Sequence, residues 1–513
     1  MDPSGPWWGG PDWMLASVFV PLAGALSCFL LPRLAAVLGL AAALLTTAAT
    51  LALTLNVLAS GAAYVQLGGW QAPLGILWRA DGLSVALMAM TAVVGAMVSL
   101  YAAAYFKHEA HERAFFWPIW LVLWAALNAL FLSADLFNLY VTLELLGFAA
   151  ASLTALGGGA AALTGAIRYL LVSVLGSLSY LLGMALVYHG CGSVDIVQVA
   201  AFIADAPRPA MQAAAAAMIA GLLLKTALFP FHFWLPPAHG SAPAPVSAVL
   251  SALVVKASFY LVLRLWLDVL GGGEGSGRSA VQGASQGEGD HWLAELLGAL
   301  GAAAVLWGSV LALRQERLKL LIAYSTVAQI GYLFMAFPLA VAGSTVAWTG
   351  ALYLALSHGL AKAAMFLTAG SLLRFGGHDR IAELDSVVQR LPLTLTAFAL
   401  AGVSIMGLPP SGGFIGKWLL VEEALRQGRF VLAGVMLLGG ALAAAYVFKV
   451  VGHAFTPAER ERRERAIPPS MEWSALVLAV AAIVLGLTLP LISPLLQVGG
   501  ASPSLAAAAG GVA

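Results

Sequence analysis

The stretch from Lys225 to Ala248 reads KTALFPFHFWLPPAHGSAPAPVSA. It begins with a lysine preceded by the apolar run GLLL, and then places Pro230, Pro236, Pro237, Pro243 and Pro245 in quick succession. Proline supplies no backbone donor and its ring clashes with the preceding turn, so no continuous helix passes through this segment. In lipid, backbone groups that leave a helix persist only where they face protein or a water-filled cavity. A cation beside a broken helix therefore marks a polar site inside an otherwise apolar body.

The rest of the chain supplies that body. Of its 513 residues 61% are hydrophobic and 10% charged, whereas soluble domains carry roughly 25% charged residues. Apolar runs near the roughly 20 residues of a membrane helix recur from Trp13 to Leu495. The fold class expected is an all-α integral membrane protein. Cutting at charged and Gly/Pro-rich breaks gives about 14 spans, near 13–32, 34–58, 81–105, 115–133, 135–157, 163–189, 209–230, 241–269, 291–313, 318–341, 346–375, 391–427, 430–454 and 471–495. Between the second and third, Tyr64 to Asp81 alternates apolar residues with glycines and predicts a surface hairpin. Ser193 to Asp205 predicts an amphipathic interfacial segment.

Composition also excludes function classes. A net charge of +1 and dispersed basic residues give no nucleic-acid surface. Cys28 and Cys191 lie far apart without ligand spacing, so neither a disulfide framework nor a metal site is expected. No cofactor is expected, since the chain lacks an iron–sulfur cysteine cluster and a dinucleotide fingerprint. Met1 to Asp12 has no basic n-region, so the first apolar run reads as a retained helix. Alternate loops divide the basic residues unequally: Arg33, Lys107, Arg113, Arg168, Arg314, Arg317, Lys319 and others fall on one side, and Arg79, Arg208, Arg278, Arg426 and Arg429 on the other. The richer side is expected to be cytoplasmic, which leaves both termini outside.

Charges within the spans carry the functional signal. Lys107 and Lys319 read as loop residues, and Lys449 can snorkel from a helix end. Lys225, Lys256 in SALVVKASFY, Lys362 in SHGLAKAAMF and Lys417 in GGFIGKWLL have no such escape, and Glu144 in LYVTLELLGF reads as the only comparably deep carboxylate. Each lysine at a helix centre costs about 2.5 to 3.5 kcal/mol on insertion scales, and intramembrane ionisable groups mark proton or ion pathways by default. An ammonium out of water loses solvation and releases its proton more readily, while a nearby carboxylate holds it on. Glu144 beside Lys225 would make such a switch. His358 stands four residues before Lys362, on the same helix face, and His232 and His239 flank the first break as accessory candidates.

A second break lies in MGLPPSGGFIGKW, where Pro409, Pro410, Gly412 and Gly413 interrupt an apolar run just before Lys417. A five-span unit beginning at the fourth span maps the seventh span onto the twelfth. Paired interrupted segments in corresponding halves are the sequence signature of an inverted-repeat transporter. The expected units are 1–114 with three spans and the hairpin, 115–269 and 291–454 as the two five-span repeats, 270–290 as a flexible external loop, and 455–513 as the last span and tail.

At these residues the chain resembles a known family. The segment from Lys225 to Ala248, with Glu144, Lys256, HGLAK ending at Lys362 and GLPPSGGFIGK ending at Lys417, is similar to the antiporter-like subunits of respiratory complex I, Mrp-type antiporters and membrane-bound hydrogenases. DLFNLYVTLELLG around Glu144 most resembles the MrpD-type component of Mrp antiporters. The resemblance covers nearly the whole chain and implies 14 helices, two inverted five-helix repeats, and discontinuous seventh and twelfth helices. It also implies a hydrated axis in mid-membrane: Glu144 acting on Lys225, Lys256 linking the halves, His358 and Lys362 continuing the path, and Lys417 at its exit. Leu354 stands where some members carry a further histidine. Implied partners are other membrane subunits and the bilayer, with protons and Na+ as candidate ions. The location implied is a bacterial or archaeal cell membrane. A cation/proton antiporter and the pumping module of a redox enzyme use the same residues, and both readings stay open here.

Overall fold

The computed structural model describes residues 10–68, 70, 75–205, 208–270, 292–341, 344–385, 387–457 and 465–498. Among them, thirteen helices are long and apolar enough to cross a membrane. A fourteenth passage is made of two shorter helices, Pro392–Met406 and Gly412–Arg426. In chain order the spans are Asp12–Leu30, Ala35–Ser60, Gly82–Tyr105, Ala110–Leu132, Leu136–Ala155, Gly159–Cys191, Ala210–Ser241, Ala244–Val269, Trp292–Arg314, Leu318–Ala340, Thr345–Gly376, the broken passage, Phe430–Ala454 and Pro469–Leu487. They are called spans 1 to 14 below. The expected loop from Gly271 to Asp290 lies outside the described residues.

Burial grades the spans. Spans 8 and 11 are enclosed along their whole length, and span 10 nearly so. Spans 1, 2, 6 and 13 turn leucines, valines and phenylalanines outward, among them Leu55, Leu171 and Val431. Apolar side chains gain nothing by leaving lipid, so close helix contact relies on small residues. Gly301 and Gly331, on spans 9 and 10, illustrate this: a methyl group on Gly301 would stand 2.6 Å from the Gly331 carbonyl oxygen.

Spans 7 and 12 are the two interrupted helices. Each is fourth in a five-span unit, spans 4–8 and 9–13, and the odd length of the unit runs the two units in opposite directions. In span 7 the α-helix ends at Thr226, and Ala227 takes the left-handed conformation at φ +57. A short 3-10 turn, Phe231–Trp234, leads to the helix Leu235–Ser241. The indole of Trp234 donates to the Leu224 carbonyl at 2.9 Å, one of the acceptors released by the break. In span 12 Gly407 ends the first half-helix at φ +83, and Ser411 caps the second by accepting from the Phe414 N–H at 3.1 Å. Span 8 holds two π-helical segments, Leu250–Val254 and Leu265–Val269, on either side of the α-helical stretch with Lys256. Single-turn π insertions concentrate at functional sites.

The hairpin forms as expected, with β1 (Ala63–Leu67) antiparallel to β2 (Ile76–Ala80), and the segment expected to be interfacial contains the helix Ile196–Asp205. Beneath the hairpin lies an ion network that no sequence pattern announces. Asp81 caps span 3 by accepting from the Ser84 N–H at 2.9 Å. It also pairs with Arg79 at 3.2 Å and with Arg264 of span 8. Asp268 pairs with both arginines. Burial pushes the Asp81 carboxyl upward, but the guanidinium groups of Arg264 and Arg79 outweigh it and hold the carboxyl at about 2. Breaking a buried pair leaves an uncompensated charge and costs about 3 to 5 kcal/mol. Arg264→Met is expected near the low end, about 3 kcal/mol, because Arg79 still faces Asp81. Thermal unfolding in detergent measures it, and Asp81→Asn in the same background should recover most of the loss.

Candidate functional site

Lys225 projects from span 7, just before the break, into a pocket made by spans 5 and 6. Its Nζ donates to Ser173 Oγ at 2.9 Å and to the Leu143 carbonyl at 3.4 Å. Glu144 Oε1 lies 4.0 Å away, at ion-pair distance, and has no hydrogen-bond partner among the described residues. Glu144 retains 17% side-chain exposure and Lys225 only 5%. The carboxylate thus stands at the edge of the bundle, beside the outward-facing Val141, Leu145 and Phe148. A small movement of Glu144 would change the stabilisation of a charged Lys225, as a coupled pair in a low dielectric requires.

A longer connected group begins at span 8. Lys256 Nζ donates to the Ser251 carbonyl of the π segment. The Ser251 hydroxyl meets Thr326 of span 10 at 2.8 Å. Thr326 in turn bonds the Ile322 carbonyl at 3.0 Å, and Lys362 Nζ donates to the same carbonyl at 3.1 Å and to Ser325 Oγ. One turn further along span 10, the Gln329 amide donates to the Ile405 carbonyl at 3.3 Å, and Lys417 Nζ donates to that carbonyl at 2.7 Å. Lys256 and Lys362 are therefore linked through Ser251, Thr326 and the Ile322 carbonyl, and Lys417 is anchored one turn further along span 10, beside Gln329.

The break in span 12 explains the position of Lys417. Interrupting the helix releases the carbonyls of Ile405 and Met406, and Lys417 Nζ takes both, at 2.7 and 3.4 Å. Its ammonium also lies 4.4 Å from the centre of the Tyr332 ring, a cation–π contact. Two of the expected lysines thus attach to broken helices by different means: Lys225 precedes its break, and Lys417 follows its own and reaches back.

The histidines differ in setting. His358 is fully enclosed, within electrostatic reach of Lys256, Lys362 and Lys417, and neither ring nitrogen has a hydrogen-bond partner among the described residues. His239 stacks on Phe366 at 4.7 Å and lies within reach of Lys256, Lys319 and Lys362, again with both nitrogens unbonded among the described residues. An imidazole that neither donates nor accepts a fixed hydrogen bond is available to exchange a proton with a neighbour. His232 sits apart, stacked on Phe229 at 5.7 Å and near Tyr324. No hydrogen bond among the described residues joins Lys225 to Lys256; the two halves meet across a gap.

Comparison with known proteins sets this arrangement in context. The profile described as "NADH:quinone oxidoreductase/Mrp antiporter, TM" matches residues 133–443, and "NADH-Ubiquinone oxidoreductase (complex I), chain 5 N-terminus" matches residues 64–116. The chain belongs to the NADH:quinone oxidoreductase/Mrp antiporter family. Relatives in that family include the N subunit of an NADH-quinone oxidoreductase of Desulforudis audaxviator, 34% identical across 92% of this chain and 94% of that one. The D subunit of a Na(+)/H(+) antiporter of Alkalihalophilus pseudofirmus is 26% identical across 81% and 80%. Two solved structures share the fold: a chain of the Mrp complex from Dietzia sp. DQ12-45-1b (TM-score 0.83, 23% identity, 94% and 96% covered) and one of respiratory complex I from Thermus thermophilus (TM-score 0.72, 24% identity, 93% and 98% covered). Both are chains of multisubunit membrane complexes.

Within this antiporter-family fold, one expectation needs correction. Lys319 is not a loop residue: it lies in the first turn of span 10, 3% exposed, and donates to the Ala242 carbonyl. Arg317 and Gln315 form the actual turn, and a helix beginning immediately after them carries the lysine inward. Other carboxylates are buried at span ends, Asp81 and Glu423 each 1% exposed and Glu423 held by Arg426 and Gln427, whereas Glu144 lies in the middle of the span 5 helix. Arg264, which the pattern of apolar runs does not single out, is buried at 4% in span 8. The polar stripe of span 10 is equally quiet in the sequence. Its signal is Ser325, Gln329 and Tyr332, spaced four and three apart in an apolar helix, the spacing of one helix face.

Proposed function

We propose that this chain is the proton-conducting membrane subunit of a multisubunit cation/proton antiporter, passing protons along Glu144, Lys225, Lys256, His358, Lys362 and Lys417, with His232 and His239 as accessories. The observation that carries this reading is the row of buried lysines along span 10 inside an otherwise apolar bundle: Lys256 and Lys362 linked through Ser251, Thr326 and the Ile322 carbonyl, and Lys417 anchored one turn further on at the Ile405 carbonyl beside Gln329. Buried ammonium groups that bond only neutral acceptors have no structural need of their charge, and proton exchange gives them one. The likeness to the D subunits of Na(+)/H(+) antiporters supports a cation as the counter-ion.

A second reading keeps the same residues and changes the driving force. The 34% identity to a relative named as the N subunit of an NADH-quinone oxidoreductase favours a proton pump driven by redox chemistry in another chain. Proteoliposomes holding the assembled complex separate the two: proton flux driven by a sodium gradient supports the antiporter, and flux that needs quinone reduction and ignores sodium supports the pump. In either case Glu144→Ala should reduce flux by about tenfold or more, since loss of a nearby opposite charge shifts proton affinity by a pKa unit or more. Unchanged flux in that variant removes Glu144 from the coupling role. The complex sits in a cell membrane in this reading, with the arginine-rich loops in the cytoplasm and both termini outside.

A further inference from the structure

We infer that the crevice between spans 6 and 10 binds the phosphate headgroup of an anionic phospholipid, with Arg168 as its charged anchor. Arg168 lies on the outward face of span 6 among Leu163, Ile167 and Leu171, which are 56%, 46% and 65% exposed. It is itself exposed and makes no hydrogen bond or ion pair with the described residues. A cation that shares a helix face with lipid-facing leucines calls for an anion at the boundary of the apolar layer.

The crevice supplies the rest of the site. Its volume is about 720 Å³, and it is lined by Thr164 and Arg168 of span 6, Ser241 at the end of span 7, Gln315 and Arg317 of the connecting turn, and Tyr324 of span 10, among others. The turn residues fix its depth at the membrane–water boundary, where snorkelling cations and headgroups meet. Its lining includes no carboxylate among the described residues. Arg317 is already paired with Asp379 at 3.0 Å, so Arg168 is the uncompensated charge. Its planar guanidinium suits phosphate, which it can bond through two N–H groups at once. The Thr164 hydroxyl and the second N–H of the Gln315 amide, whose first bonds the Leu311 carbonyl, add neutral donors, and the outward leucines below Arg168 offer an apolar track for acyl chains. That track distinguishes a lipid from free phosphate, which has no use for it.

The test counts lipid on the assembled complex by native mass spectrometry after delipidation and titration with phosphatidylglycerol. Wild-type protein should retain phosphatidylglycerol in preference to phosphatidylcholine. Arg168→Gln should weaken that retention about tenfold, the loss of one charge-assisted contact, and Arg168→Lys should weaken it less. Thermal unfolding of each variant verifies that the fold is intact, and photo-crosslinking of a phosphatidylglycerol probe to span 6 gives an independent readout should a variant fail to fold. Equal retention by Arg168→Gln overturns the inference, as does equal binding of phosphatidylcholine or displacement of the lipid by millimolar inorganic phosphate.

Discussion

Lys362→Met is expected to reduce proton flux to background while leaving the protein folded and assembled. Lys362 lies between the other two lysines of this half, within electrostatic reach of both Lys256 and Lys417. Methionine keeps the volume and removes the only group at that position able to carry a proton. The fold should tolerate the change for a specific reason. Lys362 donates to the Ile322 carbonyl and to Ser325 Oγ, and Ser325 itself donates to Ile322 at 2.9 Å, so removal of the ammonium leaves no acceptor without a partner. Breaking a buried pair is costly because it strands the opposite charge, and Lys362 bonds only a carbonyl and a hydroxyl, so Met strands none. Flux in proteoliposomes and thermal unfolding of the same preparation verify both halves of the expectation. Loss of flux accompanied by loss of fold would assign Lys362 a structural role instead.

The break in span 12 gives the second large effect, and two glycines there should fail differently. A methyl group on Gly413 would stand 1.9 Å from the Ser404 carbonyl oxygen and 2.9 Å from its hydroxyl. Backbone cannot yield as a side chain can, so Gly413→Ala must push the two half-helices apart and disturb the Ser357–Ser404 contact at 2.6 Å. Overpacking of this kind costs about 1 to 3 kcal/mol, and the variant should reach the membrane at reduced level or not assemble. At Gly407 the added methyl would meet Lys417 Cδ at 2.7 Å, a flexible side chain that can move. The cost is the left-handed backbone at φ +83, about 1 kcal/mol for a non-glycine residue. Gly407→Ala should therefore assemble but conduct more slowly, because Lys417 is displaced from the Ile405 carbonyl. Measuring membrane abundance and flux for both variants separates the two mechanisms.

The parts of this molecule legible in the sequence are those where a residue is expensive in its surroundings. Proline and glycine in mid-span predict the breaks, since nothing else tolerates that backbone in lipid. Four lysines stand out because each carries a large insertion cost. Cheap residues are silent. Ser325, Thr326 and Gln329 surround the lysines with polar groups, yet a helical serine or threonine can satisfy itself on a carbonyl one turn back, as Thr326 does on Ile322, and so raises no alarm. Charges near span ends mislead for a related reason. Lys319 and Arg264 sit where a loop or a snorkelling side chain is an adequate explanation, and only packing shows that each points inward to the Ala242 carbonyl or to Asp81. The pairing of Glu144 with Lys225 needs the three-dimensional arrangement, because it joins spans 5 and 7, far apart along the chain, whose contact no local pattern encodes.

Two readings of the gap between Lys225 and Lys256 are distinguishable by experiment. If protons traverse a single series, Lys256 is the junction through which all of them pass; if each half conducts alone, it serves the second half only. The most direct measurement is proton flux through the assembled complex carrying Lys256→Met, compared with wild type and Lys362→Met under the same driving gradient. Conduction in one series predicts background flux in Lys256→Met, equal to that of Lys362→Met. Flux that stays near wild type, with the protein fully assembled, would contradict it.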